Sequence, residues 1–341
     1  MTPLVAIDGR DAFAPEPRGW GRYGRCLIDA LWRPGVADGL ELDVIRGGGA
    51  GPEIAFEQLK LPILLRRRTA ALVHVTNCFL PVARPCPGVV TIHDLAFDAW
   101  PEDFSWRTGI KYRLFAPLAA RSAEVVICPS EFTRRDLRER YGIDHSKVRV
   151  IPEAPALPLG DAEPAVERPY VLAVGDLRRK KNVAALVTAF AELHRTRAIR
   201  YRLVLAGADA GEGPRLRALA GDAPVELPGY VSDAALDALI SGADLLVHPS
   251  LYEGFGLVVL EAMARGTPVL AARAGALPET GGDAAEYFDP KAPDALSDAL
   301  GELLSDPPRR EQMRARGLEH VAQFSWERTA RETVGVYREL L

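Results

Sequence analysis

The chain has 341 residues, 48% of them hydrophobic and 26% charged, with a formal net charge of -4. That length exceeds one ordinary core and suits two domains, and the composition excludes a disordered or fibrous chain. The acidic balance excludes a general nucleic-acid binder, which needs a basic excess to displace phosphate counterions.

The N-terminus, MTPLVAIDGRD, lacks the basic start and apolar run of a signal peptide and leads straight into a strand, LVAID. RGWGRY follows at residues 18–23, with Gly19 and Gly21 between that strand and the helix RCLIDALW. Such a turn can cradle a phosphate, although it does not spell G-x-G-x-x-G. LPILL at 61–65 ends in Arg66, Arg67 and Arg68, and no apolar run reaches the roughly 18 residues of a membrane span. ALVHVT, GVVTIHD and EVVICPS are further strands, and His93 and Asp94 end the second of these. An imidazole at a strand tip can donate hydrogen bonds to a substrate.

FSWRTGIKYRLFAPLAAR at 104–121 reads as a helix mixing aromatics with Arg107, Lys111, Arg113 and Arg121. It suits either contact with an anionic lipid or a place in the core with its cations facing water. Residues 133–142 are helical and stop at Gly142. Cys26, Cys78, Cys86 and Cys128 show no metal-site spacing and read as reduced core thiols. Together with the N-terminus they point to the cytoplasm, with peripheral contact at the inner face of the membrane.

PEAPALPLGDAEPAVERP at 152–169 reads as a linker. It separates a first domain, 1–160, from a second domain, 168–324. Residues 325–341 form a helix anchored by Trp326, Val334 and Tyr337 that returns to the first. YVLAVGD, YRLVLAG, VELPGY, ADLLVHPS and TPVLAA supply the second set of strands. Strands alternating with helices throughout indicate two doubly wound parallel α/β sheets.

In such sheets ligands bind beyond the carboxyl ends of the strands. After YVLAVGD, Arg178, Arg179, Lys180 and Lys181 stand before Asn182, an N-cap for the helix NVAALVTAFAELH. Cations at a helix start suit a diphosphate, although a lone charge run reads equally as a solvated loop. Val183, Leu186, Val187, Phe190 and Leu193 form that helix's core face. In HPSLYEGFGLVVLEAMARGTPV, Glu253 and Glu261 bracket a turn in which Gly254 and Gly256 permit close backbone approach. Either glutamate alone reads as a cap or surface residue; both together with the glycines make a more specific pattern, and Glu261 could chelate a ribose diol.

Four segments in register carry a resemblance over nearly the whole chain: E-G-F-G-L-x-x-x-E at 253–261, G-x-L-x-x-x-K-N at 175–182, TIHDLAF at 91–97 and G-x-G-R-Y at 19–23. They resemble family 4 of the retaining GT-B glycosyltransferases, the mannosyltransferase-like group 1 enzymes. The resemblance implies a GT-B fold of two Rossmann-like domains with an interdomain cleft. It implies a hexosyltransferase of polysaccharide biosynthesis that moves mannose from GDP-mannose to a hydroxyl of a glycan or lipid-linked acceptor. A UDP-sugar-dependent glucosyl- or GlcNAc-transferase is the alternative.

Carried onto this chain, the resemblance implies that Lys181, with Lys180 or Arg179, clasps the donor diphosphate beside Gly175, while Gly19 and Gly21 also meet the donor. Glu261 would bind the ribose. Glu253 and the backbone of Gly254, Phe255, Gly256 and Leu257 would hold the sugar, which His93 approaches from the other domain, and Tyr230 and Val231 would border the nucleobase. Asp176 departs from the Arg that many members carry there, which leaves the second cation open. With no D-x-D motif, neither a metal nor a tightly bound cofactor is expected. Two other readings share the fold: a nucleotide-sugar epimerase, and an inactive subunit that binds or regulates a partner.

Overall fold

A computed structural model of the chain describes residues 2–14, 19–47, 53–160, 166–292 and 294–341; Arg18 of the glycine-rich turn and 161–165 of the linker lie outside the described residues. The chain divides into one unit of Met1–Ala156 with Ser325–Leu341 and a second of Leu157–Phe324.

In the first unit, β1 (Leu4–Asp8), β2 (Glu41–Ile45), β3 (Leu72–Val75), β4 (Gly88–Thr91), β5 (Val125–Cys128) and β6 (Val148–Val150) form a parallel sheet in the order β2-β1-β3-β4-β5-β6. Strands buried on both faces need continuous apolar runs. Accordingly Val5, Ile7 and Leu72 enter one core and Ala6, Val73 and Val75 the other. The helices flanking it include α1 (Trp20–Leu31), α2 (Trp106–Ser122) and α3 (Glu131–Tyr141). Ser130 caps α3 by accepting the Thr133 N–H at 3.0 Å, and Gly142 ends it at a φ of 68°, where a side chain is disfavoured.

The C-terminal helix Trp326–Leu340 lies against α1, with Val334 and Tyr337 buried. Trp326 Nε1 donates to the Pro155 carbonyl at 2.9 Å. The Tyr337 hydroxyl meets His74 Nδ1 at 2.6 Å, and His74 Nε2 meets Thr91 Oγ1 at 2.8 Å.

In the second unit, β7 (Tyr170–Val174), β8 (Arg202–Ala206), β9 (Val225–Gly229), β10 (Leu245–His248), β11 (Val269–Ala272) and β12 (Glu286–Phe288) form a parallel sheet ordered β12-β11-β10-β7-β8-β9. Among its helices are α4 (Val183–Arg197), α5 (Asp233–Gly242) and α6 (Leu257–Ala264). Val183, Leu186, Val187, Phe190 and Leu193 of α4 are all buried, as their spacing predicts. Arg265, just beyond α6, makes a 2.6 Å buried pair with Asp237 of α5 and donates to the carbonyls of Leu157 and Pro158.

One expectation changes. Asn182 is the residue before α4, but it takes a left-handed conformation and its side chain caps nothing. In α2 the fully buried residues are Gly109, Ala116, Ala119 and Ala120, with Tyr112 and Phe115 partly buried against the same core. The large apolar residues Trp106, Ile110, Leu114 and Leu118 point outward, Trp106 with 69% of its surface exposed. The helix thus packs on the core with Arg107 and Arg113 exposed, and it also leaves large apolar residues on its outer side.

Burial, with a smaller contribution from His93, holds the His74 imidazole neutral and lowers its pKa from 6.5 to about 3. Unfolding frees an imidazole that takes up a proton below pH 6.5, so His74 stabilises the fold above that pH and the benefit is lost as the pH falls toward 3. His74→Phe is expected to cost about 1–3 kcal/mol at pH 7.5 through its lost hydrogen bonds and to flatten the decline of stability between pH 6.5 and 4. Melting temperatures across that range test this, and parallel declines in both proteins would refute it.

Candidate functional site

Sheet order locates the sites. In the second unit the connections run one way from β7 to β8 and β9, and the other way from β7 to β10, β11 and β12. The switch point between β7 and β10 is where an open sheet leaves a crevice. The segments following those two strands carry Gly175–Lys181 and His248–Glu253, and they are tied together by the Leu251 N–H donating to the Lys180 carbonyl at 2.8 Å.

Lys181 Nζ donates to Glu253 Oε1 at 2.6 Å. The lysine lies back over Gly175, whose φ is +134° and where an added Cβ would stand 3.2 Å from Lys181 Cε. Glycine there both accepts the dihedral and makes room for the cation. His248 Nε2 stands 3.3 Å from the same Glu253 oxygen and has no other hydrogen-bond partner among the described residues. Ser250 Oγ is likewise buried and unpartnered. Gly175, Lys181, His248 and Ser250 line one small pocket.

Burial alone would raise the Glu253 carboxyl. The charges of Lys181 and Lys180 and the contact with His248 outweigh it and hold the group well below 4.5. Burial keeps His248 below its ordinary 6.5 despite the nearby carboxylate.

Of the other expected residues, Lys180 is buried, with Nζ 5.9 Å from the Tyr252 ring centroid. Arg179 is directed elsewhere: it stands 3.8 Å from Glu212 and lines a separate cavity with Arg178. Among the expected partners for Lys181, Lys180 is thus the cation that acts on Glu253. Gly256 begins α6 at a φ of +101°, the Phe255 side chain is in the core, Leu257 is partly buried against it, and Glu261 is 2% exposed. The Gly175 N–H donates to Ala206 and the Gly207 N–H to Gly229, both at 2.9 Å. These bonds set Gly175, Gly207 and Gly229 in a row, with half-exposed Tyr230 and then Val231 at its far end.

In the first unit, His93 Nδ1 meets Glu153 Oε1 at 2.8 Å and Nε2 meets the Thr76 carbonyl at 3.1 Å. Both nitrogens are therefore engaged within this unit, and a ligand would have to displace one of them. Trp20 stacks on the imidazole at 6.1 Å and Tyr23 meets it edge-on at 4.5 Å. Gly19 precedes α1, whereas Gly21 lies inside the helix's first turn rather than in a loop. Sequence reasoning missed His248 and Glu153. The signal for His248 was its place at the end of ADLLVH, the strand that leads to Glu253.

A family model described as glycosyl transferases group 1 matches residues 161–320, and one described as glycosyltransferase family 4 matches 39–154. O-antigen chain mannosyltransferase B of Escherichia coli is 31% identical over 285 residues, covering 79% of this chain and 74% of that protein. The MMP alpha-(1->4)-mannosyltransferase of Mycolicibacterium hassiacum is 29% identical over 301 residues, covering 81% and 72%. The structure of sucrose-phosphate synthase from Thermosynechococcus elongatus superposes with a TM-score of 0.76 at 24% identity, covering 100% of this chain and 99% of that one.

Lys181→Ala strands a buried carboxylate and is expected to destabilise the protein by about 3 kcal/mol. Glu253→Gln, which leaves Lys181 an acceptor, should cost less. Because the Glu253 pKa is depressed, its contribution is complete above pH 4.5 and lost as the pH falls below it. Urea unfolding at pH 7 and pH 4 should show a larger loss in wild type than in Glu253→Gln; equal losses would contradict the ion pair.

Proposed function

This chain belongs to the group 1 glycosyltransferases of GT-B type, and on that premise we propose that it transfers mannose from GDP-mannose, with retention, to a hydroxyl of a glycan or lipid-linked acceptor. The observation that carries this reading is the Lys181–Glu253 pair at the switch point of the second sheet. The two named relatives, both mannosyltransferases, support the choice of sugar.

Transfer releases a nucleoside diphosphate, and the groups most useful to it are fixed cations that meet the charge as it develops. Lys181 exchanges Glu253 for the diphosphate, assisted by Lys180. Glu253, freed from that partner, accepts hydrogen bonds from the sugar hydroxyls, and buried Glu261 binds the ribose diol. His248 and Ser250 offer the polar atoms left unpartnered beside Lys181. The acceptor attacks the face from which the diphosphate departs, and a phosphate oxygen takes its proton, so the transfer needs neither a protein nucleophile nor a metal.

A melting-temperature panel of GDP-, UDP-, dTDP- and ADP-sugars tests the donor, because a ligand of the folded state stabilises it by mass action. At equal concentrations GDP-mannose is expected to give the largest rise, corresponding to about 3 kcal/mol of stabilisation where it is present at a hundredfold excess over its Kd, and Lys181→Ala to abolish it. A larger rise with another nucleotide would replace the donor, and an inverted anomeric configuration in the NMR spectrum of the product would overturn retention.

The reading extends to a membrane surface. The outward residues of α2, flanked by exposed Arg107 and Arg113, suit a leaflet of anionic lipid, where a lipid-linked acceptor would be anchored. The wild-type protein should sediment with phosphatidylglycerol vesicles, and the double variant Trp106→Glu, Leu114→Glu should remain in the supernatant. Sedimentation that is unchanged in the variant would exclude this face.

A further inference from the structure

Glu253 has two neighbours that differ in how firmly they are held. Lys181 Nζ donates to Oε1 at 2.6 Å, and His248 Nε2 stands 3.3 Å from the same oxygen. His248 is the last residue of β10, a strand that lies inside the sheet between β7 and β11 and pairs His248 with Ala271. Its side chain is 3% exposed, against 19% for Lys181. The imidazole is thus fixed by a central strand, whereas the ammonium rides on a flexible four-carbon stem. When an anion enters, the lysine can turn to it while the histidine stays beside the carboxylate.

Charge decides what the histidine then does. Among the described residues, Glu253, Lys181 and Lys180 are the charged groups that act on it most, and the neighbouring strand β11, VLAA, carries none. Burial and the two lysines hold the imidazole neutral against the pull of the carboxylate, below its ordinary 6.5. Two ammonium groups against one carboxylate leave one positive charge in excess. A nucleotide sugar is a dianion through the neutral range, because its diphosphate is esterified at both ends. Bound at the lysines, it turns that excess into a deficit of one, in a buried place where such an imbalance is costly. A proton on His248 restores neutrality. It also gives the carboxylate that Lys181 has left a charged donor, so that Glu253 is not buried alone.

We propose that His248 is a positioning residue for donor binding: as Lys181 passes to the diphosphate, the imidazole takes one proton from solvent and, protonated at both nitrogens, donates from Nε2 to Glu253 Oε1, which keeps that carboxylate in place for the sugar hydroxyls. The inference rests on the donor reading and adds to it a proton that binds with the nucleotide sugar. Donor affinity then rises as the pH falls below the value His248 reaches in the complex, and it levels off below the lower value His248 has in the free protein.

Titration calorimetry of the full chain with GDP-mannose at pH 7, repeated in phosphate, HEPES and Tris, reads the proton directly, because these buffers release it with different heats. Wild type is expected to take up a proton with the donor, and its Kd to rise several-fold from pH 6.5 to pH 8. His248→Gln, which can still donate to Glu253 but cannot titrate, should bind several-fold more weakly at pH 6.5, without uptake and with a Kd that no longer changes with pH. A merely structural role would weaken binding alike at every pH. If that variant does not fold, NMR of isotope-labelled histidine rings in wild type serves, and one imidazole must change from neutral to charged when donor is added. Donor binding without uptake in wild type overturns this assignment alone, as does uptake that persists in the variant and so belongs to another group. No heat from any of the GDP-, UDP-, dTDP- and ADP-sugars overturns the donor reading with it.

Discussion

The second unit is organised around one electrostatic constraint: a carboxylate removed from water needs a cation beside it. Glu253 has that cation in Lys181, 72 residues earlier in the chain. The pairing exists because the sheet sets β7 next to β10 and so delivers the segments that follow both strands to one place. The backbone clears the way, since Gly175 leaves room for the lysine stem. A cation held by a carboxylate is positioned in advance for an anionic ligand, and nearby the Ser250 hydroxyl has no partner among the described residues while His248 Nε2 has only its contact with Glu253. The site thus carries an internal counter-ion for Lys181.

The first unit has a switch point of its own, between β1 and β3, and uses it differently. There the cations Arg10 and Lys111 are held by the neighbouring carboxylates of Asp8, Glu53 and Glu57. Two crevices of similar topological origin carry opposite electrostatic character.

Much of this was legible in the sequence where the residues are buried on both faces. LVAID, ALVHVT and YVLAVGD stand out because central parallel strands are nearly all apolar. The strands that escaped notice, β2, β6 and β12, are all edge strands, and ELDVI, VRV and EYF are short and partly exposed. Without a buried second face, nothing in their pattern separates them from loops. Lys181, Glu253 and Glu261 were readable from spacing, while the partnership of Lys181 with Glu253 was not, since it depends on strand order. In α2 the sequence left lipid contact and core packing open, because alanine and glycine pack closely against the unit with Tyr112 and Phe115 while Trp106, Ile110, Leu114 and Leu118 face outward. A cavity around Glu57 in the first unit left no trace because Arg10, Glu57, Asn77 and Lys111 come from four separate segments.

The hydrogen bond between His74 and Tyr337 joins residues 263 positions apart, and the helix bearing that tyrosine covers α1 near the opposite end of the chain. During synthesis, residues 157–324 leave the ribosome as an uninterrupted stretch and can close their own core. The earlier unit must wait, with the surface of α1 uncovered, until its last helix emerges. The half of the protein made first is therefore the half completed last, and its apolar α1 surface stays open to non-native contacts until then.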